Sequence, residues 1–370
     1  MISMIFFIFC MDDASLLGEK GWHIKQAGLF MPLQRHEVQI RANGELYVRS
    51  FSDRRIQRYD ARGKKIGQFG AKGKGPGEFT FPVRSFFLDD RMWVLDMLDG
   101  SLSEFNEGGD FVRKLRLDSR NETILKVSGG WVFGNWGIHR YQGPAKLLLV
   151  DNSFENVKLV RAISEPGNRR TWRIWRTKMG DAGSYSPINT QPQLFAAADG
   201  SRVFLTDAHL FKIYVYDNKG GLVHTIERNE KRIPFDREWA EADLKGIKAE
   251  LKVNVTRWEK LYPEYFPAIR EIIIDPNGNL AIDRWRGRPD DNHYPITLNM
   301  KGEEVKAAYS WETLTRLLGT HGNYGYLSSW DATAEEAGFA KVLLENLNEF
   351  VKKYPVVYEG SLRYDMSLRE

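Results

Sequence analysis

The sequence contains almost no cysteine. Cys10 is the single thiol in 370 residues, which excludes an intramolecular disulfide, a zinc site built from cysteines and an iron–sulfur cluster. A strong excess of one charge is also missing, because 53 Lys and Arg stand against 49 Asp and Glu. The net charge of +4 excludes an acidic-tail protein and does not by itself indicate nucleic-acid binding.

A long hydrophobic run is missing as well. The most apolar segment, residues 1–10, is far shorter than the roughly 20 residues that a membrane-spanning helix needs. It is compatible with the apolar part of an export signal, but it lacks a basic start, and Phe9 is too large to precede a lipoprotein cysteine. Two interpretations of residues 1–20 stay open: a signal or membrane anchor of a protein outside the cytoplasm, or a buried apolar terminus of a cytoplasmic protein.

A repeated pair of hairpins fills most of the chain. The first hairpin has two apolar strands around a turn rich in Asp, Asn or Gly, which favour two-residue β-turns. It occurs at residues 38–48, 85–96, 125–133, 194–207 and 272–283. The second hairpin ends its first strand on Asp60, Asn106, Asp151, Asp217 or Asn299. Four strands per repeat are typical of a propeller blade.

The spacing of the repeats predicts where the chain departs from a regular ring. The two later intervals are longer than the first two, which predicts insertions at residues 164–192 and 230–267. In the second insertion, Leu244, Ile247, Leu251 and Trp258 share a helical face, with Asp236 as N-cap. A capping box at 333–336 and the stripe Phe339, Val342, Leu343, Leu347 and Phe350 predict a C-terminal helix. The last blade, residues 311–370, is expected to be irregular and completed by residues 22–34.

One segment resembles a known family. Residues 66–82, with Gly-Pro-Gly-Glu-Phe at 75–79, are similar to the linker between blades of NHL-type six-bladed propellers. Residues 258–282 are similar to a passage in bacterial extracytoplasmic six-bladed propellers, many of them lipoproteins. The resemblance covers about residues 38–310. We therefore expect an all-β, six-bladed β-propeller with helical insertions, formed as a single domain by residues 21–370.

Six-bladed propellers include enzymes, so catalytic and metal sites need a separate search. The seven histidines are isolated in sequence, and no Gly-x-Ser-x-Gly motif is present. Lactonase-like and amidating-lyase-like relatives imply a zinc or calcium site at the channel. The candidate ligands are His139 and His209 in neighbouring blades, and Asp96, Asp207 and Asp283 in one register. Capping of turns by these carboxylates is the favoured interpretation.

Arg and Trp alternate in residues 169–178 and recur at 284–288. This combination suits stacking on sugars or bases and pairing with anionic groups. We predict a ligand face formed by Arg173, Trp175, Arg176, Trp285 and Arg286, with Trp packing on the propeller as the structural alternative. The expected function is non-catalytic binding of a protein or carbohydrate ligand by a monomer at the cell envelope, without a cofactor. The competing hypothesis is a metal-dependent channel enzyme, and nucleic acid is not the expected partner.

Overall fold

The structure is a computed structural model. It describes seventeen segments of the chain: residues 17–29, 38–50, 54–88, 90–96, 99–117, 123–135, 145–152, 156–163, 173–177, 182–185, 194–196, 200–207, 210–242, 255–260, 264–286, 293–331 and 336–354. The chain divides into two compact units. Unit 1 comprises Met1–Leu117 with Tyr309–Glu370, and unit 2 comprises Asp118–Ala308.

Unit 1 contains three four-stranded antiparallel blades. Blade 1 has the strands Val38–Ile40, Leu46–Ser50, Arg55–Tyr59 and Lys65–Phe69. Blade 2 has Pro82–Leu88, Arg91–Asp96, Ser101–Phe105 and Phe111–Arg116. Blade 6 joins the chain ends, with Leu317–His321, Tyr324–Asp331, Glu336–Leu343 and the N-terminal strand Trp22–Leu29.

Unit 2 contains the other three blades. Blade 3 has the strands Thr123–Val127, Gly130–Asn135, Ala145–Asp151 and Val157–Ile163. Blade 4 has Leu194–Ala196, Arg202–Asp207, Lys212–Asp217 and Leu222–Glu227. Among the described residues, blade 5 has the three strands Ile269–Ile274, Leu280–Arg284 and Ile296–Leu298. The predicted six-bladed β-propeller is confirmed.

Apolar layers between neighbouring blades form the core. In unit 1, Trp22 and Phe339 of blade 6 pack with Val48 of blade 1. In unit 2, Phe204 of blade 4 belongs to the same cluster as Ile282 of blade 5. Both faces of such a blade are buried, so apolar residues follow one another along its strands without strict alternation.

Three of the five turn residues on which the repeat was aligned, Asp60, Asp217 and Asn299, share one hydrogen-bond pattern. Asp60 Oδ1 accepts the backbone N–H groups of Arg62 and Lys64, each at 2.9 Å, and Asp217 Oδ1 accepts those of Lys219 and Gly221, each at 2.8 Å. The N–H groups of Gly221 and Lys219 hold the pKa of Asp217 below its ordinary value. Side-chain acceptors of this kind fix the turns that follow the third strands of blades 1, 4 and 5.

The glycine-rich segment lies between blade 1 and blade 2, as predicted. It includes a short parallel pair of strands, Ala71–Lys72 and Glu78–Phe79. Glu78 Oε2 accepts the backbone N–H of Gly75 at 2.7 Å, and Phe79 is fully buried. Gly70 has a φ of 85°, and a Cβ there would lie 2.4 Å from the Phe79 ring, so the position requires glycine.

The predicted completion of the last blade by the N-terminus is confirmed. Trp22–Leu29 pairs antiparallel with Glu336–Leu343, and Trp22 lies opposite Lys341. Trp22 is 4% exposed, and its Nε1 donates to the carbonyl of Ala61 at 3.0 Å. The pairing covers an edge strand that would otherwise be open to other chains.

The C-terminal helix prediction is wrong for most of its length. Residues 336–343, which include Phe339, Val342 and Leu343, form a blade strand. Helix α1 is Trp311–Arg316, and helix α2, Leu347–Lys353, contains only Leu347 and Phe350 of the predicted stripe. Both faces of this strand are buried, so its apolar residues have a spacing that resembles that of a helix. Pairing with a strand on each side outweighs this helical spacing.

The two insertions form one additional sheet, here called the insertion sheet. It pairs Arg173–Thr177 of the first insertion with Ala182–Tyr185 and with Val255–Lys260 of the second. The helix predicted there begins after Asp236, whose Oδ1 accepts the N–H of Trp239 at 2.8 Å, and residues 237–242 are helical. Trp258 was wrongly assigned to that helix, because Val255 and Thr256 favour the strand. Leu244, Ile247 and Leu251 lie outside the described residues.

Candidate functional site: a cationic cavity in unit 2

A cavity of about 410 Å³ lies in unit 2 between parts of blade 4 and blade 5. We call it the blade 4–5 cavity. Its walls come from three places: the turn at 210–211, the segment 227–233 that begins at the end of the last strand of blade 4, and residues 266–268 and 285–286, which flank the first two strands of blade 5. Its volume lies in the range typical of small-molecule sites.

The segment that carries the cavity rim is held by backbone pairing. Phe235 N–H donates to the carbonyl of Glu264 at 3.0 Å, and Phe266 N–H donates to the carbonyl of Ile233 at 2.8 Å. Between these bonds Pro234 forms a β-bridge with Tyr265. The rim residues before Ile233 are therefore fixed to the start of blade 5.

Aromatic side chains form one wall of the cavity. The rings of Phe266 and Trp285 stack, with centroids 6.0 Å apart and planes at 23°, and both belong to an apolar cluster with Phe235 and Ala240. Trp285 is 8% exposed. Its buried Nε1 has no hydrogen-bond partner among the residues that the structure describes, which is a costly state for a polar group.

More cations than carboxylates line the cavity, and the carboxylates are all paired with cations. The carboxylates of the lining already face cations: Glu227 lies 3.2 Å from Lys212 Nζ, and Glu230 lies 3.1 Å from Arg284. The lining cation Arg228 is engaged with Glu304 at 3.0 Å. The wall therefore presents paired charges at these positions.

Three further lining cations have no carboxylate partner within the described segments: Lys231, Arg232 and Arg286. All three are exposed. The guanidinium of Arg232 lies 4.0 Å from the centroid of the Tyr265 ring, which orients it without neutralising it. A cavity lined by aromatic rings and by unneutralised cations suits an organic anion.

Of the predicted ligand residues, Trp285 and Arg286 line this cavity together. Arg173, Trp175 and Arg176 lie in the insertion sheet, and their side chains lie outside the described part of the structure. That all five share one face of the ring stays a prediction. Sequence reasoning missed Lys231, Arg232 and Phe266. The available signal was the concentration of three cations within residues 228–232, directly before an aromatic segment.

The described carboxylates of the hypothetical metal site act as hydrogen-bond acceptors. Asp96 is 1% exposed and accepts the backbone N–H groups of Thr80, Phe81 and Asp99. Asp283, which is fully buried, accepts the N–H of Tyr294 and contacts His293 Nδ1, each at 2.8 Å. These contacts match the capping interpretation.

The remaining metal candidates are not tested by the structure. His139, His209 and the Asp207 side chain lie outside the described residues. Within the described segments, no group of three or more His, Cys, Asp or Glu residues is arranged to hold a metal ion. Among the helices of those segments, none has the length and apolar character needed to span a bilayer.

Comparison with known proteins agrees with the fold. Residues 35–168 match the model of the DUF5128 family, described as a 6-bladed beta-propeller. A "Putative exported protein" from Bacteroides fragilis NCTC 9343 is similar in structure, with a TM-score of 0.53 and 11% identity over 88% of this chain and 96% of that chain. At a sequence identity of 11%, this structural similarity is evidence for the fold alone.

Two further solved structures resemble the chain more distantly. A DUF4221 family member from Bacteroides vulgatus has a TM-score of 0.49 and 11% identity over 89% of this chain and 94% of that chain. Virginiamycin B lyase from Staphylococcus aureus has a TM-score of 0.42 and 10% identity over 88% and 99%. No curated protein matches the sequence.

Proposed function

We propose that the protein is a non-catalytic binding propeller that takes a small organic anion, of the class of acidic sugars, in the blade 4–5 cavity. One observation carries this proposal: Lys231, Arg232 and Arg286 line the same cavity as Phe266 and Trp285 and have no carboxylate partners in the described segments, whereas Glu227 and Glu230 are each paired with a cation. A carboxylate on the ligand would pair with these cations. The ring of a sugar would contact the apolar wall.

The shape of the site supports a small ligand over a protein ligand. A concave cavity of about 410 Å³ encloses a molecule of one or two sugar units, whereas a stable protein partner buries a broad surface of about 800 Å² on each side. The metal-dependent enzyme has less support, because the oxygens of Asp96 and Asp283 already accept hydrogen bonds.

We further propose that the protein acts outside the cytoplasm, as part of the NHL-like group of propellers. The name of the similar Bacteroides fragilis protein, which describes export, supports this location. The glycine-rich connection between blades 1 and 2 supports the grouping. Attachment through residues 1–20 and a monomeric state belong to the same proposal.

Calorimetric titration of the full chain with digalacturonate tests the function. Changing Lys231, Arg232 and Arg286 together to Gln should raise the Kd at least about tenfold, because each charged contact contributes on the order of 1 kcal/mol or more. A matched variant with Lys219, Lys301 and Lys306 changed to Gln removes the same charge from exposed positions outside the cavity.

The matched variant should bind within about twofold of the unmodified protein, since distant exposed charges contribute little at physiological salt. Equal weakening by both variants would show that binding is only a response to net charge. Absence of heat and of any affinity for digalacturonate in the unmodified protein would also overturn the proposal.

A further inference from the structure

The first strands of the three blades of unit 1 lie side by side. Val38–Ile40 of blade 1 contacts Leu317–His321 of blade 6 and also Pro82–Leu88 of blade 2. We call these three segments the inner strands of unit 1. Each is an edge strand of its own sheet. Charged residues on the inner strands therefore belong to one local environment.

The inner strands contain a cation without a counter-charge. Arg84 is their single Lys or Arg residue, and they contain no Asp or Glu. Arg84 is half-buried, and its guanidinium makes no hydrogen bond and no ion pair within the described part of the chain. Arg41, which directly follows the inner strand of blade 1, is in contrast paired with Asp90 and Glu107.

A second and more deeply buried cation lies close to Arg84. Arg49 of blade 1 is 2% exposed, and its Nη1 donates to the carbonyl of Pro82, two residues before Arg84, at 2.6 Å. Burial, and to a smaller extent repulsion by Arg49, lower the pKa of Arg84 to about 10. Because this pKa is still well above 7, Arg84 remains charged at neutral pH. Two positive charges are thus held near each other in a partly desolvated place.

The position of Arg84 does not stabilise the blade. Removal of a cation from water costs free energy that an opposite charge has to offset, and a like charge nearby adds to the cost. Among the described residues, no carboxylate pairs with Arg84. An anion beside Arg84 would be attracted by both guanidinium groups and would accept the hydrogen bonds that Arg84 leaves unmade.

We propose that Arg84 and Arg49 bind a doubly charged oxyanion of the sulfate or phosphate class at the inner strands of unit 1. The planar guanidinium of Arg84 presents several N–H donors in a fork that matches the oxygen atoms of such an anion. Two neighbouring positive charges favour a dianion over a monoanion such as a carboxylate. The free inorganic ion and a sulfate or phosphate ester of a sugar offer the same chemistry.

This site is independent of the function proposed above. Arg84 and Arg49 belong to unit 1, whereas the blade 4–5 cavity lies in unit 2. The cavity is expected to take a carboxylate together with a sugar ring, and the inner strands are expected to take a dianion. Failure of either proposal therefore leaves the other intact.

Calorimetric titration of the full chain with sodium sulfate at constant ionic strength tests this inference. Arg84→Gln should raise the Kd for sulfate at least about tenfold, because its charge-assisted hydrogen bonds are lost. The matched control is Arg62→Gln, which removes the same charge from a side chain that is 90% exposed, in a turn of blade 1. It should change the Kd less than about twofold. Without sulfate, Arg84→Gln should melt no lower than the unmodified protein, because it removes an unpaired and partly desolvated charge.

Further titrations separate this site from the blade 4–5 cavity and identify the source of the anion. The triple variant of Lys231, Arg232 and Arg286 should keep the sulfate binding that depends on Arg84, and Arg84→Gln should keep any affinity for digalacturonate. Galactose 6-sulfate that binds more tightly than inorganic sulfate, and loses this affinity in Arg84→Gln, would assign the anion to a sugar ester. Weaker binding of galactose 6-sulfate would assign it to the free ion.

Four results would overturn the proposal. They are absence of sulfate binding by the unmodified protein, sulfate binding that Arg84→Gln leaves unchanged, sulfate binding that the triple variant of the cavity abolishes, and binding of acetate as tight as that of sulfate. Absence of digalacturonate binding would count against the proposed function alone.

Discussion

Two buried tyrosines of unit 1 differ in the hydrogen bonding of their hydroxyl groups. Tyr59 is 4% exposed and its hydroxyl donates to Gln57 Oε1 at 2.7 Å. Tyr326 is fully buried, and its hydroxyl has no hydrogen-bond partner in the described part of the chain. Burial raises the pKa of each hydroxyl to about 12, because the ionised form loses its hydration.

Tyr326→Phe should therefore leave the free energy of unfolding at pH 7 unchanged or raise it slightly, since it removes an unsatisfied buried group. The raised pKa adds a pH dependence. Below pH 10 the Tyr326 hydroxyl is neutral in both the folded and the unfolded protein, so its ionisation does not affect the free energy of unfolding. As pH rises from 10 to about 12, the hydroxyl ionises in the unfolded protein but not in the folded one, and the free energy of unfolding falls. The variant should lose less stability than the unmodified protein over that interval, as measured by urea unfolding.

Tyr59→Phe is the control, because the same change there leaves the buried amide oxygen of Gln57 without its donor. It should lower the free energy of unfolding by about 1–2 kcal/mol at pH 7. Equal losses for the two variants would show that the Tyr326 hydroxyl is hydrogen-bonded.

At the scale of elements, Asp96 connects the glycine-rich segment to blade 2. Its carboxylate accepts the N–H groups of Thr80 and Phe81, which lead into the first strand of the blade, and also that of Asp99. Asp96→Asn retains one oxygen acceptor and replaces the other by a donor. The free energy of unfolding should fall by about 1–3 kcal/mol, as measured by urea unfolding.

Elemental analysis of the same variant distinguishes structure from metal binding. A structural Asp96 predicts the same metal content in the variant and in the unmodified protein. Unchanged stability together with the loss of bound zinc or calcium would instead assign Asp96 to a metal site. A substitution of Asp283 would be harder to interpret, because it would also remove the contacts of that carboxylate with His293 and Arg270.

The elements that sequence analysis predicted well are those whose structure is determined by residues close together in the sequence. Asp60 and Asp217 specify their turns through bonds to residues two and four positions later, so the repeat could be identified from the sequence. Trp258 and Phe339 were wrongly assigned to helices, because their strands are stabilised by partners far away in the chain. Helical spacing is a weaker influence than such pairing.

The candidate site was predicted in part for the same reason. Trp285 and Arg286 were identified by their composition, which is a local property. Lys231 and Arg232 join them only because the segment 233–235 pairs with residues 264–266. That pairing has no repeat or motif that would have indicated it.

At the scale of the whole molecule, a small net charge conceals local excesses. The cations of the blade 4–5 cavity and those of the insertion sheet all lie in unit 2. Both places depart from the regular blade pattern, whose turns and apolar layers account for most of the remaining described chain. Departures from a repeated scaffold are where binding residues are commonly found.

The most direct test of the central claim is hydrogen exchange of the full chain with and without saturating digalacturonate. Ligand in the blade 4–5 cavity should slow exchange at residues 229–233 and 285–286, because a bound ligand suppresses local opening. The outer strand of blade 1, Lys65–Phe69, should exchange at the same rate in both states. Binding without slower exchange at those cavity residues, or slower exchange confined to other parts of the chain, would contradict the account.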